Sequence, residues 1–328
     1  MVQAKVIQKS IPHVLKTIDI PQLGKKSQGK VRDIYFKDKE RILITTDRQS
    51  AFDVILGHIP FKGAVLNLLA AFWFKKTEHI VANHMVSVPD PNVLIAKNCQ
   101  SIPIEMVIRG YISGVTNTSI WGSYQKGERV IYGLKFPEGL KKNQRLETPV
   151  ITPTTHGGGA GGHDERLTRE QIIERKIVPK KLYEQMEEAT YDLFKYGSKL
   201  CERHGLILVD TKYEFGKSDG RIHLIDEIHT PDSSRYFYSE GYEERQERNE
   251  QQRQLSKEFV RKWLIDNGFQ GKEDQSIPEM SPEFVQSISE RYIELYEHIT
   301  GDKFIKNDHS NALKRVENNI IDALKRLG

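Results

Sequence analysis

Three polar residues able to bind cations and phosphates alternate along a predicted strand near the middle of the chain. The run Gly205–Gly216 reads Gly-Leu-Ile-Leu-Val-Asp-Thr-Lys-Tyr-Glu-Phe-Gly. Successive side chains of a strand point to opposite faces, so Asp210, Lys212 and Glu214 are expected on one face. A lysine between two carboxylates is either a solvated salt bridge or part of a binding site.

The hairpin that follows is expected to bring a further carboxylate to this face. Residues Ser218–Gly220 have the composition of a three-residue hairpin loop, with glycine at the left-handed position. That loop pairs Lys212 with Asp226 and Glu214 with Leu224, which predicts a diagonal cluster of the three charged residues. Two carboxylates beside a lysine suit a divalent metal ion and the phosphates of a nucleotide. The apolar run Leu206–Val209 and the polar loop after Asp226 favour a site.

Two polar segments near the N-terminus could bind anions. Gly29 precedes Lys30 and Arg32 at the start of a predicted strand, so the basic side chains could hold phosphate oxygens while glycine lets the backbone approach. A polar loop after the next strand contains Arg48, which suits an anion, and Ser50, which suits a hydrogen bond. Ordinary turns are the competing interpretation of both segments.

Two arginines follow apolar strands elsewhere in the chain. Arg109 ends one such strand and is followed by small residues, and arginine is the preferred bidentate partner of carboxylate or phosphate. A buried salt bridge to Glu105 is the competing interpretation. The loop Asp232–Arg235 joins two serine hydroxyls to an arginine, which is typical of a clamp for phosphate or carboxylate.

Composition limits the classes of partner. The 49 basic and 45 acidic residues give a net charge of +4, which does not indicate nucleic-acid binding. Two cysteines argue against a disulfide framework and for a reducing compartment. The N-terminus lacks the apolar core of a secretory signal, and the longest apolar stretch, Ala64–Phe74, is too short to span a bilayer. We therefore expect a cytoplasmic, enzyme-sized protein that binds neither nucleic acid nor membrane. Its oligomeric state, monomer or homodimer, does not follow from the composition.

The remaining pattern predicts an α+β chain with two parts. Strands dominate residues 1–105, whereas residues 106–328 are mixed, with the boundary near Ile102–Met106. Helices are predicted by apolar periodicity, by a capping box at Thr168-x-x-Gln171 and by an N-terminal proline. The clearest of them are Val65–Phe74, the segment from Pro179 to Gly205, Phe259–Leu264, Pro282–Thr300 and Ala312–Leu327.

A glycine run lies between His156 and His163. It lacks the Gly-Lys-Ser/Thr ending of a nucleotide-binding loop, and no clear strand precedes it. A flexible surface loop is therefore favoured over a phosphate cradle or a zinc site.

Taken together, these segments resemble the SAICAR synthetase family, and the length resembles its longer, yeast-like branch. The similar segments occur in family order across most of the chain, which is far more specific than any single motif. They are Gly29–Tyr35, Asp47–Val54, Ile104–Gly114, Ser119–Trp121, Ile151–Thr154 with His163–Glu165, Gly205–Gly216, Leu224–Phe237 and Lys257–Leu264.

The resemblance implies a two-lobe, ATP-grasp-like α+β architecture with antiparallel sheets and packed helices. It implies an ATP-dependent ligase of purine biosynthesis that uses Mg²⁺. The enzyme would join L-aspartate to the carboxylate of carboxyaminoimidazole ribotide (CAIR) through an acyl phosphate, giving SAICAR, ADP and phosphate.

The resemblance also implies roles for individual residues. The catalytic residues would be Lys212, near the transferred phosphoryl group, and Asp232, near the imidazole, while Glu214 and Asp226 would hold Mg²⁺. The nucleotide would contact Gly29, Lys30, Arg32, Glu105 and Lys212. The substrate-binding residues would be Arg48, Ser50, Asp53, Arg109, Ser119, Ser233, Ser234 and Arg235, with Arg109, Ser119 and Arg235 gripping the ribotide phosphate.

A small-molecule kinase is the alternative function, because its nucleotide cleft and metal carboxylates could look alike. A kinase usually carries a catalytic aspartate in a His-Arg-Asp-type loop, and the sequence contains no such loop.

Overall fold

The computed structural model describes residue 2 and residues 4–115, 118–156, 164–306 and 311–327. The glycine run 157–162 and His163 lie outside this part of the chain. The helices are α1 Ala4–Ser10, α2 Lys62–Thr77, α3 Ile120–Gln125, α4 Arg169–Glu174, α5 Lys180–Arg203, α6 Tyr242–Glu247, α7 Glu258–Asp266, α8 Pro282–Thr300 and α9 Ala312–Leu327. The strands are β1 Lys26–Gln28, β2 Arg32–Lys37, β3 Glu40–Thr45, β4 Arg48–Ala51, β5 Val54–His58, β6 Met85–Asp90, β7 Val93–Lys97, β8 Gln100–Tyr111, β9 Val130–Ile131, β10 Leu134–Lys135, β11 Arg145–Ile151, β12 Thr154–Thr155, β13 Leu206–Ser218, β14 Arg221–Ile225 and β15 Ser234–Tyr238.

Two large antiparallel sheets organise the described chain. The first has the order β1-β2-β3-β7-β6, while β4 pairs with β5 and β9 with β10 in two separate hairpins. The second has the order β11-β8-β13-β14, with β12 also paired to β8 and β15 to β13. The predicted α+β class with antiparallel sheets is confirmed. Strand β8 runs without a break through residues 105 and 106, where the sequence predicts the lobe boundary, so the division into lobes stays a prediction.

The pairing of β8 with β13 determines where the charged residues meet. Glu105 lies opposite Glu214, and Arg109 lies opposite Asp210. Since alternate residues of each strand share a face, this register places charged groups from both strands side by side on the central strands of the second sheet.

The hairpin between β13 and β14 differs from the sequence prediction. Its loop has two residues, Asp219 and Gly220, and both have positive φ (52° and 72°), as in the tight turn that suits the twist of a hairpin. The predicted three-residue loop is therefore wrong, and the register moves by one, so that Glu214 pairs with Ile225 and not with Leu224. Asp226 lies just beyond β14 with a left-handed φ of 65°.

Helices cover the sheets through apolar faces that the sequence had indicated. On α5, Met186, Leu193 and Phe194 belong to the same buried cluster as Ile108 and Leu208 of the second sheet. The predicted capping box at α4, with both of its hydrogen bonds, is confirmed. Helices α8 and α9 have the predicted bounds. Among the described residues, no helix combines the length and apolar character required to cross a bilayer.

Candidate active site

A lysine on the central strand lies between two carboxylates. Nζ of Lys212 is 2.7 Å from Oε1 of Glu105 on β8 and 2.5 Å from Oε1 of Glu214 on its own strand. The hydroxyl of Thr154, on β12, donates to the other oxygen of Glu105 at 3.1 Å. The predicted common face of Lys212 and Glu214 is thus present, and the adjacent strand adds Glu105 to it.

The loop after β14 adds two further carboxylates. Nη1 of Arg32 lies 2.5 Å from Oδ1 of Asp226, and its Nη2 lies 2.8 Å from Oε2 of Glu227. Arg32 is the first residue of β2 in the first sheet. This arginine therefore ties the first sheet to the loop that follows the second hairpin.

We call Glu105, Lys212, Glu214, Asp226 and Glu227, with Arg32, the carboxylate cluster. Among the described residues its four carboxylates outnumber Arg32, Lys212 and the neighbouring His156, which pair with them. Although burial favours loss of the lysine proton, the charges of Glu214 and Glu105 hold the pKa of Lys212 well above its ordinary value. An excess of buried negative charge is a favourable environment for a divalent cation.

The pKa shifts of two carboxylates in this cluster run in opposite directions. Burial and the nearby charge of Asp226 raise the pKa of Glu214 against the opposing effect of Lys212. Burial opposes ionisation of Glu105 too, but hydrogen bonding to His156 and the charge of Lys212 outweigh it and lower its pKa to about 2. Atoms of Glu105, His156 and Glu214 that could bind a metal lie within 4.8 Å of one another.

A second group of charges, the arginine pair, consists of Arg109 and Arg235 on either side of Asp210. Their Nη1 atoms lie 3.0 Å and 2.5 Å from the same oxygen, Oδ2 of Asp210. Nη2 of Arg235 also lies 3.2 Å from Oε2 of Glu258. Its Nε is buried and has no hydrogen-bond partner among the described residues. A buried donor without an acceptor is costly, so this atom is suited to bind an incoming anion.

The absence of a side chain at Gly114 allows Ser119 to lie close to the arginine pair. Gly114 has a φ of 96°, and a Cβ atom added to it would lie 2.6 Å from Cβ of Ser119 and 3.0 Å from Nη2 of Arg235. Ser119 is fully buried, and its hydroxyl accepts a hydrogen bond from the backbone of Gly122 at the start of α3. The structure therefore brings Ser119 to Arg235.

A third group, the lysine pair, surrounds Asp232. Nζ of Lys62 and Nζ of Lys257 lie 2.9 Å and 3.3 Å from Oδ2 of Asp232. The hydroxyl of Tyr292 donates to the other oxygen at 2.5 Å. Burial opposes ionisation of Asp232, but the charges of Lys257 and Lys62 outweigh it and lower its pKa well below the ordinary value. Asp232 is therefore a buried, ionised carboxylate.

Among the predicted site residues near the N-terminus, Arg48 is buried, whereas Lys30 and Asp53 are exposed. Arg48 is buried and donates to the carbonyl oxygens of Lys30, Lys16 and Gly29 and to Oδ1 of Asp33, so it holds the Gly29 segment in place. Lys30 and Asp53 are exposed and form a salt bridge with each other.

Three of the four predicted serines, Ser50, Ser233 and Ser234, form hydrogen bonds within the protein. Ser50 accepts a hydrogen bond from Nζ of Lys257 at 3.3 Å. Ser234 donates to Oγ1 of Thr211 at 2.7 Å, and Oγ of Ser233 accepts a hydrogen bond from the backbone N–H of Thr230 at 3.2 Å. These contacts shape the loop that carries Asp232.

Sequence reasoning did not find several residues of the site. Lys62 opens an apolar helix, where nothing in the local pattern distinguishes it from a solvated lysine. Tyr292 lies on the apolar face of α8. His156, weighed with His163 as a zinc ligand, is not predicted to contact Glu105 and Glu214. Lys257 stands at the start of a segment that resembles the family, and that resemblance was the one signal that could have indicated it.

Comparison with known proteins decides the family. The family model described as SAICAR synthetase matches residues 25–277. The chain belongs to the SAICAR synthetase family. Curated relatives named phosphoribosylaminoimidazole-succinocarboxamide synthase include that of Bacteroides thetaiotaomicron, 50% identical over 307 residues, which are 92% of this chain and 96% of the relative. The one from Azobacteroides pseudotrichonymphae genomovar. CFP2 is 54% identical over 294 residues, 89% of each protein.

A solved member of the SAICAR synthetase family has the same fold. The SAICAR-synthase from Saccharomyces cerevisiae complexed with SAICAR superposes with a TM-score of 0.75 and 31% identity, and the match covers 89% of this chain and 100% of the other. The predicted activity, an ATP-dependent ligase of purine biosynthesis, is confirmed by these relatives.

Proposed function

We propose that this ligase phosphorylates the carboxylate of CAIR with ATP and then joins the resulting acyl phosphate to L-aspartate. One observation supports this proposal most strongly. The carboxylate cluster and the arginine pair are both centred on one face of β13, at Glu214, Lys212 and Asp210. A region that suits a metal–nucleotide complex is thus adjacent to one that suits a phosphate.

The nucleotide would bind beside the carboxylate cluster. Gly29, Lys30 and Arg32 would contact its phosphates, and the β8 segment around Glu105 would pass beside the base. Lys212 would approach the phosphoryl group that is transferred.

Magnesium fits the surplus of carboxylate oxygen in this cluster. Glu214 and Asp226 would hold Mg²⁺, because carboxylate oxygens are the ligands that it prefers. When bound, it would supply positive charge that neutralises the phosphate oxygens.

The ribotide would bind at the arginine pair. Arg109 and Arg235 both bond Asp210, and a phosphate would supply an acceptor for the buried Nε of Arg235 beside these two guanidinium groups. Ser119 lies beside Arg235 and would add a hydroxyl. The polar atoms of four other predicted residues, Arg48, Ser50, Ser233 and Ser234, bond within the protein. We propose that these residues position the Gly29 segment and the loop that carries Asp232. Asp232 would hydrogen-bond the imidazole substituents.

The chemistry follows from this placement. A carboxylate is a poor electrophile, so its oxygen first attacks the γ-phosphorus of ATP and ADP leaves. The aspartate amine then attacks the acyl carbon, the C–N bond forms, and the C–O bond to phosphate breaks with its electron pair going to phosphate. Positioning and neutralisation of charge supply most of the acceleration.

The experiment that tests this proposal is an ADP-release assay with substrates omitted in turn. Sustained release should require CAIR, L-aspartate and a divalent cation together. Sustained ADP release with CAIR alone, accompanied by a stable phosphorylated product, would support the small-molecule kinase instead.

A further inference from the structure

The lysine pair contains more positive charge than its carboxylate balances. Both ammonium groups bond the same oxygen of Asp232, at 2.9 Å for Lys62 and 3.3 Å for Lys257. The three groups come from different elements, α2, the loop before β15 and the start of α7. One member of such a pair is expected to release its proton more readily than an ordinary lysine, because a neighbouring cation disfavours the charged form.

The two lysines differ in their access to solvent. The side chain of Lys62 is fully buried, whereas that of Lys257 is 12% exposed. Nζ of Lys257 also donates to Oγ of Ser50. Lys257 is therefore the member of the pair that a ligand entering the site can reach.

The charged groups that most affect Lys257 are Asp232, Lys62 and Arg261. The titratable hydroxyl of Tyr292 on α8 bonds the other oxygen of Asp232, and Glu258 pairs with Arg261. Burial, aided by the positive charges of Lys62 and Arg261 and opposed by Asp232, lowers the pKa of Lys257 to about 8. Lys257 therefore releases its proton more readily near neutral pH than an ordinary lysine does. A base is most effective when its pKa lies near the working pH.

We propose that Nζ of Lys257 accepts the proton that the amino group of L-aspartate loses as it attacks the activated carboxyl carbon of CAIR. This inference rests on the proposed function, which places the imidazole beside Asp232 and so places the reacting carboxyl group near Lys257.

The step balances without a further reactant. The nitrogen lone pair forms the C–N bond, and the proton passes from that nitrogen to the uncharged Nζ of Lys257. Phosphate leaves with the electrons of the C–O bond, and the new ammonium group returns its proton to solvent. Lys62 and Asp232 act as positioning residues, since they set the location and the charge state of Lys257.

The test compares Lys257→Arg, at the N-cap of α7, with the control Lys262→Arg on that helix, whose lysine is exposed and bonds Gln251. The kcat is measured across pH with all three substrates saturating. The wild type and the control should show a limb that rises to a plateau with a pKa near 8. Lys257→Arg keeps the positive charge but cannot act as a base, so kcat at neutral pH should fall about 100-fold or more. That limb should be lost, while the KM for CAIR stays close to the wild-type value.

A second variant keeps the inference falsifiable if Lys257→Arg does not fold. Lys62→Met removes the neighbouring charge, so the limb should move to higher pH by about one unit or more. An unchanged limb in a folded Lys257→Arg or Lys62→Met variant would overturn the proposal. So would a raised KM for L-aspartate with unchanged kcat, which would make Lys257 a substrate-binding residue. Failure of the proposed function is distinguishable, because the wild type itself would then release ADP without requiring both CAIR and aspartate.

Discussion

Substitution of Arg235 by lysine should weaken binding of CAIR selectively. Arg235 uses Nη1 for Asp210 and Nη2 for Glu258, and its buried Nε has no acceptor among the described residues. A lysine is a point charge that cannot reproduce this planar fork. Loss of one hydrogen bond to a charged group corresponds to about 1.5–3 kcal/mol, which predicts a roughly 10- to 150-fold rise in the KM for CAIR.

The assay is steady-state ADP release with CAIR varied at saturating ATP, and then with ATP varied at saturating CAIR. The KM for ATP should change by about twofold at most, because sites that share no contacts usually couple by less than about 0.5 kcal/mol. The control is Arg245→Lys, which makes the same exchange on α6, where the arginine is partly exposed and pairs with Glu250. Equal increases in both KM values would refute the assignment of Arg235 to the ribotide.

Three further predictions concern the metal, a close glycine contact and a buried histidine. Asp226→Asn and Glu214→Gln should each lower kcat about 100-fold or more at saturating Mg²⁺ while circular dichroism stays unchanged; near wild-type turnover would reject the metal assignment. Gly114→Ala should raise the KM for CAIR, because the added Cβ would clash with Ser119 and press on Arg235. An unaltered affinity in calorimetric titration with CAIR would contradict this. Burial lowers the pKa of His229 to about 3. Between about pH 6.5 and pH 3 the unfolded chain therefore binds a proton at this residue that the folded chain excludes. As the pH is lowered through this range, His229 should reduce the free energy of unfolding by about 1.4 kcal/mol for each pH unit. Urea titrations at several pH values should show a smaller slope for His229→Gln, and equal slopes would contradict this account.

Local patterns were sufficient to predict the main helices and the face of the central strand. Alternation along β13 placed Lys212 and Glu214 together, and a capping box indicated the start of α4. Pro282–Thr300 has the predicted bounds because a serine cap with a following proline and a terminal glycine mark its ends. Such signals act within a few residues, so the sequence shows them directly.

Features set by tertiary packing could not be predicted. The predicted register of the β13–β14 hairpin was wrong by one residue, because Asp219 takes a left-handed conformation and the loop has only two residues. The link between Arg32 and Asp226 joins residues 194 positions apart. The lysine pair likewise joins α2 to the start of α7, and no periodic or compositional signal indicates that contact.

The central claim is that the carboxylate of CAIR is activated by phosphorylation before the amide bond forms. The most direct measurement uses CAIR labelled with ¹⁸O in its carboxylate, followed by mass spectrometry of the phosphate released in a complete reaction. If the carboxylate attacks ATP, one ¹⁸O atom should appear in each phosphate, because the C–O bond breaks when aspartate attacks. Released phosphate without the label would contradict the account.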